Sequence, residues 1–257
     1  MDTPLILCEI IDEIAWIKIN RPDKLNALNQ ALINELHQQL KRCKEDETVR
    51  VVILTGSGDK AFVAGADVTE FVHLDTSAAQ KLAVDGEERI FSFIEHFNKP
   101  VLAAINGYAL GGGVELALSC HLRIASDTAR FGFPEVSLGI IPGYGATQRL
   151  PKLIGKGRAL ELILTTKLVN APTAHQWGLV NEIVPQQELL EKAAAWASQL
   201  IKQSPSAMAR AITSVNAAFA EEEKGFRMEK KQFASCFETD DFKEGVAAFL
   251  EKRKPRF

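Results

Sequence analysis

The sequence predicts an α/β core followed by a helical region, and three observations support this prediction. Apolar runs typical of strands alternate with segments of helical spacing over residues 1–190. Beyond about residue 187, only helical patterns remain. Small residues follow two of the strand patterns, at 64–66 and 111–113. We therefore predict a core over 1–190 and an α-helical region over 191–257.

The first half of the chain shows both types of periodicity. The β-rich runs before and after Asp12-Glu13 alternate in the manner of strands, so this dipeptide is the predicted turn of a hairpin. Leu32, Leu36 and Leu40 lie on one stripe of a helix. The predicted elements are a hairpin over 5–11 and 14–20, a helix over 30–44, a strand over 49–55, a helix over 77–97 and a strand over 101–105.

The second half changes from mixed to purely helical patterns. The elements predicted up to the change are strands over 122–125 and 129–133, a glycine-proline loop over 138–148, helices over 158–166 and 172–177, and a strand over 179–184. The helices predicted after it cover 188–203, 205–218, 221–237 and 240–252. A helical tail of this kind often packs on a neighbouring subunit.

Composition excludes several classes of protein. Hydrophobic residues make up 46% and charged residues 25% of the 257 residues, as in soluble globular proteins. The net charge of −3 argues against a nucleic-acid partner, and no apolar run is long enough to cross a membrane. The four cysteines (Cys8, Cys43, Cys120 and Cys236) are far apart, which predicts neither a metal site nor disulfides. The amino terminus resembles no targeting peptide, so we expect a cytoplasmic protein.

The segment 106–119, NGYALGGGVELALS, is the first candidate for a functional site. Its three consecutive glycines, 111–113, stand where a strand turns into a helix. Glycine allows close approach to the backbone there, and the first amides of a helix are available to a negative group. Glu115 is an acid in apolar surroundings, which is unfavourable unless the group has a partner or a function. The alternative interpretation is a tight packing turn with a solvated glutamate.

Two further features combine with this segment into a mechanism. Ala64, Gly65 and Ala66 form a second small-residue turn, which could supply another backbone amide or be merely a tight connection. Two amides aimed at one point stabilise an oxyanion. Glu135 follows Pro134 and is therefore held on stiff backbone. With Glu115 it could form a general acid–base pair.

Other motifs with catalytic associations fail on their spacing. The glycine run lacks the third glycine of the GxGxxG dinucleotide pattern, because Leu116 stands in its place. The segment 56–60, GSGDK, lacks the spacing of a phosphate-binding P-loop. Ser119 does not lie in a GxSxG elbow.

Taken together, four segments resemble the crotonase superfamily, and more narrowly its short-chain enoyl-CoA hydratases of the 3-hydroxybutyryl-CoA dehydratase type. They are AGAD at 64–67, NGYALGGGVELALSCHLRIAS at 106–126, FGFPEVSLGIIPGYGATQRLP at 131–151 and TDDFKEGVAAFLEKR at 239–253. The resemblance covers nearly the whole chain. It implies a spiral of ββα units followed by an α-helical trimerisation region, and an assembly of trimers or hexamers.

The resemblance also implies a mechanism and its residues. Backbone amides of Ala66 and Gly112 are expected to hold the oxygen of an acyl-CoA thioester. Glu115 is expected to activate the water that adds at C3, and Glu135 to deliver a proton to C2. No metal or other cofactor is expected, since CoA belongs to the substrate.

Further substrate contacts are implied by the same resemblance. They fall on Lys24, Ala27, Leu28, Ala64, Asp67, Val68, Gly143, Phe249 and Lys252. Phe249 and Lys252 are expected to reach CoA bound to a neighbouring subunit, and Asp67 could instead cap the helix after AGAD. Two residues depart from the family pattern. Phe133 stands where many hydratases have glutamine, and Tyr144 replaces a small residue of PGxGxTQ, which leaves the preferred acyl length open.

The sequence thus predicts an enoyl-CoA hydratase that adds water reversibly, and with syn geometry, to a trans-2-enoyl-CoA. The enzymatic alternatives are a Δ3,Δ2-enoyl-CoA isomerase and a hydratase of the methylglutaconyl-CoA type. Glu115 and Glu135 together favour hydration, because isomerases can work with one carboxylate. The non-enzymatic alternative is an RNA-binding crotonase-like protein, which the acidic composition disfavours.

Overall fold

The computed structural model of the chain describes residues 4–217, 230, 231 and 233–254. The helix predicted over 221–237 lies mostly outside these ranges. Among the described residues, no helix combines the length and the apolar character that crossing a membrane requires.

The larger of two sheets has six strands in the order β1-β2-β3-β5-β7-β10. The hairpin of β1 and β2 is antiparallel and all other pairs in this sheet are parallel. The predicted turn is confirmed, since Asp12 and Glu13 both have positive φ angles, as tight hairpin turns require. The strands are β1 Ile6–Ile11, β2 Ile14–Ile19, β3 Val51–Gly56, β5 Val101–Ile105, β7 Leu122–Ser126 and β10 Glu182–Val184.

A smaller sheet in the order β4-β6-β8-β9 was not predicted as a sheet. Its strands have only two to four residues, too few to show a period. β4, β6 and β8 run parallel to one another, and β9 is antiparallel to β8. The strands are β4 Ala61–Ala64, β6 Tyr108–Leu110, β8 Arg130–Gly132 and β9 Val169–Asn170.

The two sheets are built by a repeated ββα unit. In each unit the first strand enters the large sheet, the second enters the small sheet, and helical structure follows. Within the described residues, three units are of this kind: β3 with β4, β5 with β6 and β7 with β8. Each second strand ends at a turn that leads toward a helix, so three such turns are stacked side by side. The predicted spiral of ββα units is confirmed.

Most of the predicted helices are present, with two differences in detail. The predicted helix over 77–97 is interrupted by a π-helical segment, Glu87–Phe91, between α2 and α3. The predicted loop over 138–148 is too long, because α5 begins at Ala146. The helices are α1 Gln30–Glu45, α2 Thr76–Gly86, α3 Ser92–Glu95, α4 Gly112–Ser119, α5 Ala146–Ile154, α6 Lys156–Thr165, α7 Ala171–Gln176, α8 Leu189–Ile201, α9 Pro205–Ala217 and α10 Asp240–Leu250.

Two helical segments from the end of the chain pack on the core. α8 buries Leu189, Ala193 and Ala197 against the large sheet, in one apolar cluster with Ile53 and Leu102. The segment 233–254 contributes Phe233, Phe237, Phe242 and Val246 to another cluster that includes Phe71. This second cluster includes residues of the turns that follow β4 and β8. The assignment of 191–257 as an oligomerisation region stays a prediction.

Candidate active site

The small-residue turns and both glutamates line one cavity of about 190 Å³. Ala66 and Gly112 lie on its wall together with Glu115 and Glu135. Much of its apolar lining comes from residues 138–144 and from Phe233 and Phe249 near the end of the chain. The sequence separation of these residues did not reveal that they meet. The ββα repeat brings them together, because it stacks the turns that follow β4, β6 and β8.

Ala66 and Gly112 present backbone amides at neighbouring points. Ala66 pairs with Leu28 in an isolated parallel bridge. The two hydrogen bonds of this bridge use the Gly65 carbonyl and the Asp67 amide, so the Ala66 amide is directed to the other side. Gly112 opens α4, where the first amides have no partner within the helix. A β-carbon placed on Gly112 would lie 3.8 Å from the Ala66 nitrogen.

The glycine run permits this approach for different reasons at different positions. Gly111 has a φ of 47°, in the region that favours glycine. A β-carbon on Gly113 would lie 1.9 Å from the Val63 carbonyl oxygen, so any side chain there would push α4 away from β4. The alternative interpretation of the run as a packing turn is therefore correct for Gly113. At Gly112 the space opens toward the cavity instead.

Glu115 is a buried carboxylate, 1% exposed, in the first turn of α4. Its Oε1 atom accepts hydrogen bonds from the backbone amides of Tyr144, at 2.8 Å, and Ala146, at 2.9 Å. These bonds stabilise the charged form and hold the carboxylate against the loop that leads into α5. The positive end of α4 adds a favourable field. The burial predicted for this acid is confirmed.

Glu135 reaches the cavity from the turn that follows β8. It begins a 3-10 helix, Glu135–Leu138, directly after Pro134, and Gly139 ends that helix with a φ of 73°. The Glu135 carboxylate lies against Gly111, because a β-carbon there would come 2.2 Å from Oε1. The helix α10 packs on this 3-10 turn, where a β-carbon on Gly245 would meet the Leu138 backbone. Glu135 is thus held on short, stiff backbone.

Tyr144 lies beside Glu115 and is 6% exposed. Its ring stacks on Phe91, with centroids 4.7 Å apart and an interplanar angle of 12°. The ring also contacts the open side of Gly112, since a β-carbon there would be 3.7 Å from Cδ2. Burial raises the pKa of the Tyr144 hydroxyl, and the charges of Glu115 and Glu70 raise it further.

A buried ion network supports the loop that carries Tyr144. The Arg149 guanidinium donates to the Tyr144 carbonyl oxygen at 2.9 Å and to Glu95 Oε2 at 2.6 Å. It also pairs with Glu87 at 3.1 Å, and both of these side chains are 3% exposed. Lys230 pairs with Glu87 from the other side, at 3.3 Å. The nearby acids raise the pKa of Arg149 although burial opposes this effect.

The residues predicted to contact substrate fall into three groups. Ala64, Val68, Gly143 and Phe249 line the cavity of their own chain. Leu28 lies at its edge, because a β-carbon on Gly112 would be 3.4 Å from Leu28 Cδ1. The remaining four are not part of the lining: partly buried Ala27 and Asp67, and exposed Lys24 and Lys252. The proposed reach of Phe249 and Lys252 to a neighbouring subunit stays a prediction.

Asp67 has structural partners in this chain. Its carboxylate accepts from the Thr69 amide and caps the 3-10 helix Val68–Glu70, as the alternative interpretation predicted. It also pairs with Arg21 at 3.0 Å. Partial burial works against the charged form, but the bonds from Thr69 and Arg21 prevail and lower the pKa of Asp67. Arg21 donates in addition to the Ala27 carbonyl oxygen, so the pair fixes the 21–28 loop to the turn after β4.

Several apolar residues of the cavity, and the groups behind it, were not predicted from the sequence. Phe71, Leu138, Ile140, Ile141 and Phe233 line the wall. Gly86 and Phe91 lie behind Tyr144. The isolated glycine at 86, within a helical pattern, was the one available signal, since such a glycine often marks a packing or functional position.

Several known proteins with similar sequences are named as enoyl-CoA hydratases, in agreement with a cavity lined by two glutamates and two small-residue turns. A family profile described as enoyl-CoA hydratase/isomerase matches residues 9–257. The chain is 42% identical to a crotonyl-CoA hydratase of Syntrophomonas wolfei, over 98% of this chain and 97% of that protein. It is 41% identical to a short-chain-enoyl-CoA hydratase of Clostridium acetobutylicum, over 99% and 97%.

A solved structure gives the same result for the fold. The crystal structure of an enoyl-CoA hydratase from Mycobacterium avium subsp. paratuberculosis is similar to this chain with a TM-score of 0.88 and 27% sequence identity. The match covers 100% of this chain and 99% of the other. A likeness of this extent includes both sheets and the helices that follow them. The chain therefore belongs to the enoyl-CoA hydratase/isomerase family, within the crotonase superfamily that its motifs resemble.

Proposed function

We propose that this protein is an enoyl-CoA hydratase, a hydro-lyase that adds water reversibly to a trans-2-enoyl-CoA and gives a 3-hydroxyacyl-CoA. The observation that carries the proposal is the convergence of two carboxylates and two backbone amide positions on one cavity. The relatives named as crotonyl-CoA and short-chain-enoyl-CoA hydratases support the substrate class.

The mechanism assigns the two amide positions to the thioester oxygen. Amides of Ala66 and Gly112 bind this oxygen and stabilise the negative charge that develops when water adds to C3. One such donor is worth about 3 kcal/mol in enzymes. Gly112 has the additional advantage of the positive end of α4. The charge on the oxygen is that of an enolate, and it disappears when C2 is protonated.

The two glutamates divide the proton transfers. Glu115, held as a carboxylate by the Tyr144 and Ala146 amides, accepts a proton from the water that attacks C3. Glu135, whose carboxylate lies against Gly111, delivers a proton to C2 from the face that the water attacks, which gives syn addition. In the reverse direction the roles exchange. The residues of the chain perform each of these steps, so the proposal includes no metal or further cofactor, and CoA enters as part of the substrate.

The alternative activities differ in how many carboxylates they use. An isomerase that moves a double bond between C3 and C2 can work with a single carboxylate. The presence of both Glu115 and Glu135 on the cavity therefore favours hydration over Δ3,Δ2 isomerisation. A branched substrate of the methylglutaconyl-CoA type would require more room than a straight short chain. RNA binding is disfavoured by the net charge of −3.

The proposal extends to assembly and compartment. A homotrimer or hexamer is supported by a row of exposed apolar side chains on and after α6: Leu160, Leu164 and Leu168. A cytoplasmic location is supported by four free thiols, which reducing conditions preserve. Sedimentation velocity is the test of assembly, and a monomer at micromolar concentration would contradict it.

The activity has a direct assay. Purified protein mixed with crotonyl-CoA should remove the ultraviolet absorbance of the conjugated thioester until hydration equilibrium is reached. In the reverse direction, protein mixed with 3-hydroxybutyryl-CoA should produce this absorbance until the same equilibrium is reached. A 3-enoyl-CoA substrate tests isomerisation in the same cuvette. Absence of turnover on every 2-enoyl-CoA, from a folded protein, would refute the proposal.

A further inference from the structure

Tyr144 occupies the wall of the cavity at the point where the acyl chain of a substrate must continue. If the thioester oxygen lies between the amides of Ala66 and Gly112, C2 and C3 lie beside the two glutamates. Carbons beyond C3 then pass Glu115. The Tyr144 amide is bonded to Glu115, and its ring lies against Gly112, so this ring is the side chain that such carbons meet.

The ring is fixed from behind by a glycine that has no room for a side chain. A β-carbon on Gly86 would lie 2.5 Å from Cε1 of Tyr144 and 3.1 Å from Cζ. The distance to Cε1 is too short for any other residue unless the ring moves. Gly86 is the last residue of α2, where alanine would be favoured by helix propensity alone. Helical preference therefore does not explain this glycine, whereas the tyrosine ring does.

A local irregularity of the helix completes the support. The π-helical segment Glu87–Phe91 follows Gly86 directly, and Phe91 is the residue that stacks on Tyr144. Glu87 in the same segment pairs with Arg149, which in turn donates to the Tyr144 carbonyl oxygen. The segment Glu87–Phe91 thus holds the Tyr144 ring directly, and holds the Tyr144 backbone through Arg149. Such an arrangement prevents the ring from turning aside when a ligand enters.

The cavity is small, as expected if the Tyr144 ring closes one end of it. Its volume of about 190 Å³ must accommodate the reacting carbons and the end of the pantetheine arm. Pockets that bury drug-sized ligands are roughly 300–1,000 Å³. A chain of eight or more carbons would have to displace the Tyr144 ring, which Phe91 and the Gly86 backbone oppose.

We propose that Tyr144, seated against Gly86 and Phe91, is the specificity-determining residue that closes the acyl pocket and restricts the enzyme to short acyl chains. The inference rests on the proposed hydratase activity and deepens it. The volume of the ring excludes long chains, and the hydroxyl has no part in the exclusion.

The test compares kcat/KM for trans-2-enoyl-CoA substrates of four, six, eight and ten carbons. In Tyr144→Ala, the ratio of the eight-carbon to the four-carbon substrate should rise at least about tenfold, because a single methylene in an apolar pocket is worth about tenfold or more. Tyr144→Leu provides a second variant if the alanine variant fails to fold. Tyr144→Phe keeps the volume and should keep the wild-type ratio. An unchanged ratio in both smaller variants, or an equal rise in the phenylalanine variant, would overturn the proposal.

Gly86 offers a reciprocal test. In Gly86→Ala the new β-carbon should force the ring toward the substrate and lower kcat/KM for the four-carbon substrate by about tenfold or more. The double variant Gly86→Ala with Tyr144→Ala should recover kcat/KM for the four-carbon substrate, because the collision between the two side chains is then absent. Gly157→Ala is the matched control, since Gly157 is also helical and nothing lies within 4 Å of its added carbon. A double variant as impaired as Gly86→Ala would contradict the inference.

Kinetics of the wild-type protein and of the Tyr144 variants separate the hydratase activity from the closing role of Tyr144. A wild-type protein without activity on any enoyl-CoA would refute the hydratase and with it the acyl pocket. A wild-type protein that hydrates all four substrates equally well would retain the function and refute the closing role of Tyr144. Short-chain activity with no response to the Tyr144 variants would do the same.

Discussion

Gly111 and Glu135 are in such close contact that no β-carbon can stand between them. A β-carbon on Gly111 would lie 2.2 Å from Oε1 and 3.0 Å from Cδ of the Glu135 carboxyl group. Gly111 also has a φ of 47° and donates its amide to the Gly132 carbonyl oxygen, so it cannot retreat from the carboxylate easily. The glycine that precedes α4 therefore determines where the second glutamate can lie.

The variant Gly111→Ala should displace the Glu135 carboxylate and reduce kcat by about 100-fold, because misplacement of a catalytic group by about 1 Å has effects of that size. Gly155→Ala is a suitable control, since Gly155 also has a positive φ but nothing lies within 4 Å of an added carbon. Steady-state hydration of crotonyl-CoA measures both. Equal activities of the two variants would show that the contact with Glu135 is unimportant.

The two glutamates should be individually indispensable. Glu115→Gln and Glu135→Gln should each reduce kcat by more than about 100-fold, the effect usual for a general acid or base. Glutamine retains an oxygen that can accept the Tyr144 and Ala146 amides, so Glu115→Gln should fold normally. Exposed Glu191 on α8 serves as the control when replaced by glutamine. A variant of Glu115 or Glu135 with activity near wild type would disprove its assigned role.

Removal of Arg149 should affect stability and activity together. Arg149→Met leaves Glu87 buried without its main cationic partner, a change that destabilises proteins by about 3–5 kcal/mol. The Tyr144 carbonyl also loses a donor, so kcat should fall as well. Urea unfolding at fixed protein concentration measures the free energy. Lys243→Met breaks the exposed pair with Asp240 and should change the free energy of unfolding by less than about 1 kcal/mol. Equal losses in the two variants would contradict the importance of burial.

His121 should make the stability depend on pH. Burial lowers its pKa to about 4, from 6.5. Its Nδ1 accepts from the Val101 amide, which requires an unprotonated nitrogen. Between pH 4 and 6.5 His121 is protonated in the unfolded chain but not in the folded chain. The free energy of unfolding therefore rises with pH across this window. The contribution is complete above pH 6.5 and is about 3 kcal/mol at most, at about 1.36 kcal/mol per pKa unit.

The measurement for this prediction is a series of unfolding curves between pH 4 and 7. His121→Gln removes the titrating group, so its free energy of unfolding should change less with pH than that of the wild type. Exposed His73, replaced by glutamine, should leave the wild-type slope. Parallel slopes for wild type and His121→Gln would show that another group is responsible.

The sequence allowed the long elements to be predicted and concealed most of the short ones; β8 and β10 are exceptions, since they lie within the strands predicted over 129–133 and 179–184. α1 and the hairpin have enough residues for a period to appear, and both lie where the patterns placed them. The other strands of the small sheet have four residues or fewer, so no period can develop within them. The start of α5 at Ala146 was hidden for another reason. Gly145 precedes it with a φ of 103°, and a glycine-rich segment gives no helical signal.

The sequence by itself determined the family and predicted the chemical groups of the candidate site. Glu115 and Glu135 were identified from their motifs, and so were the two small-residue turns. Only the tertiary structure decided that these groups share one cavity, since contacts between residues far apart in the chain depend on how the ββα units stack. It also decided that Asp67 is engaged by Arg21 and Thr69, and that Gly86 makes room for Tyr144. Local patterns cannot contain such contacts, because each one requires two segments whose relative position is set by the packing of the whole core.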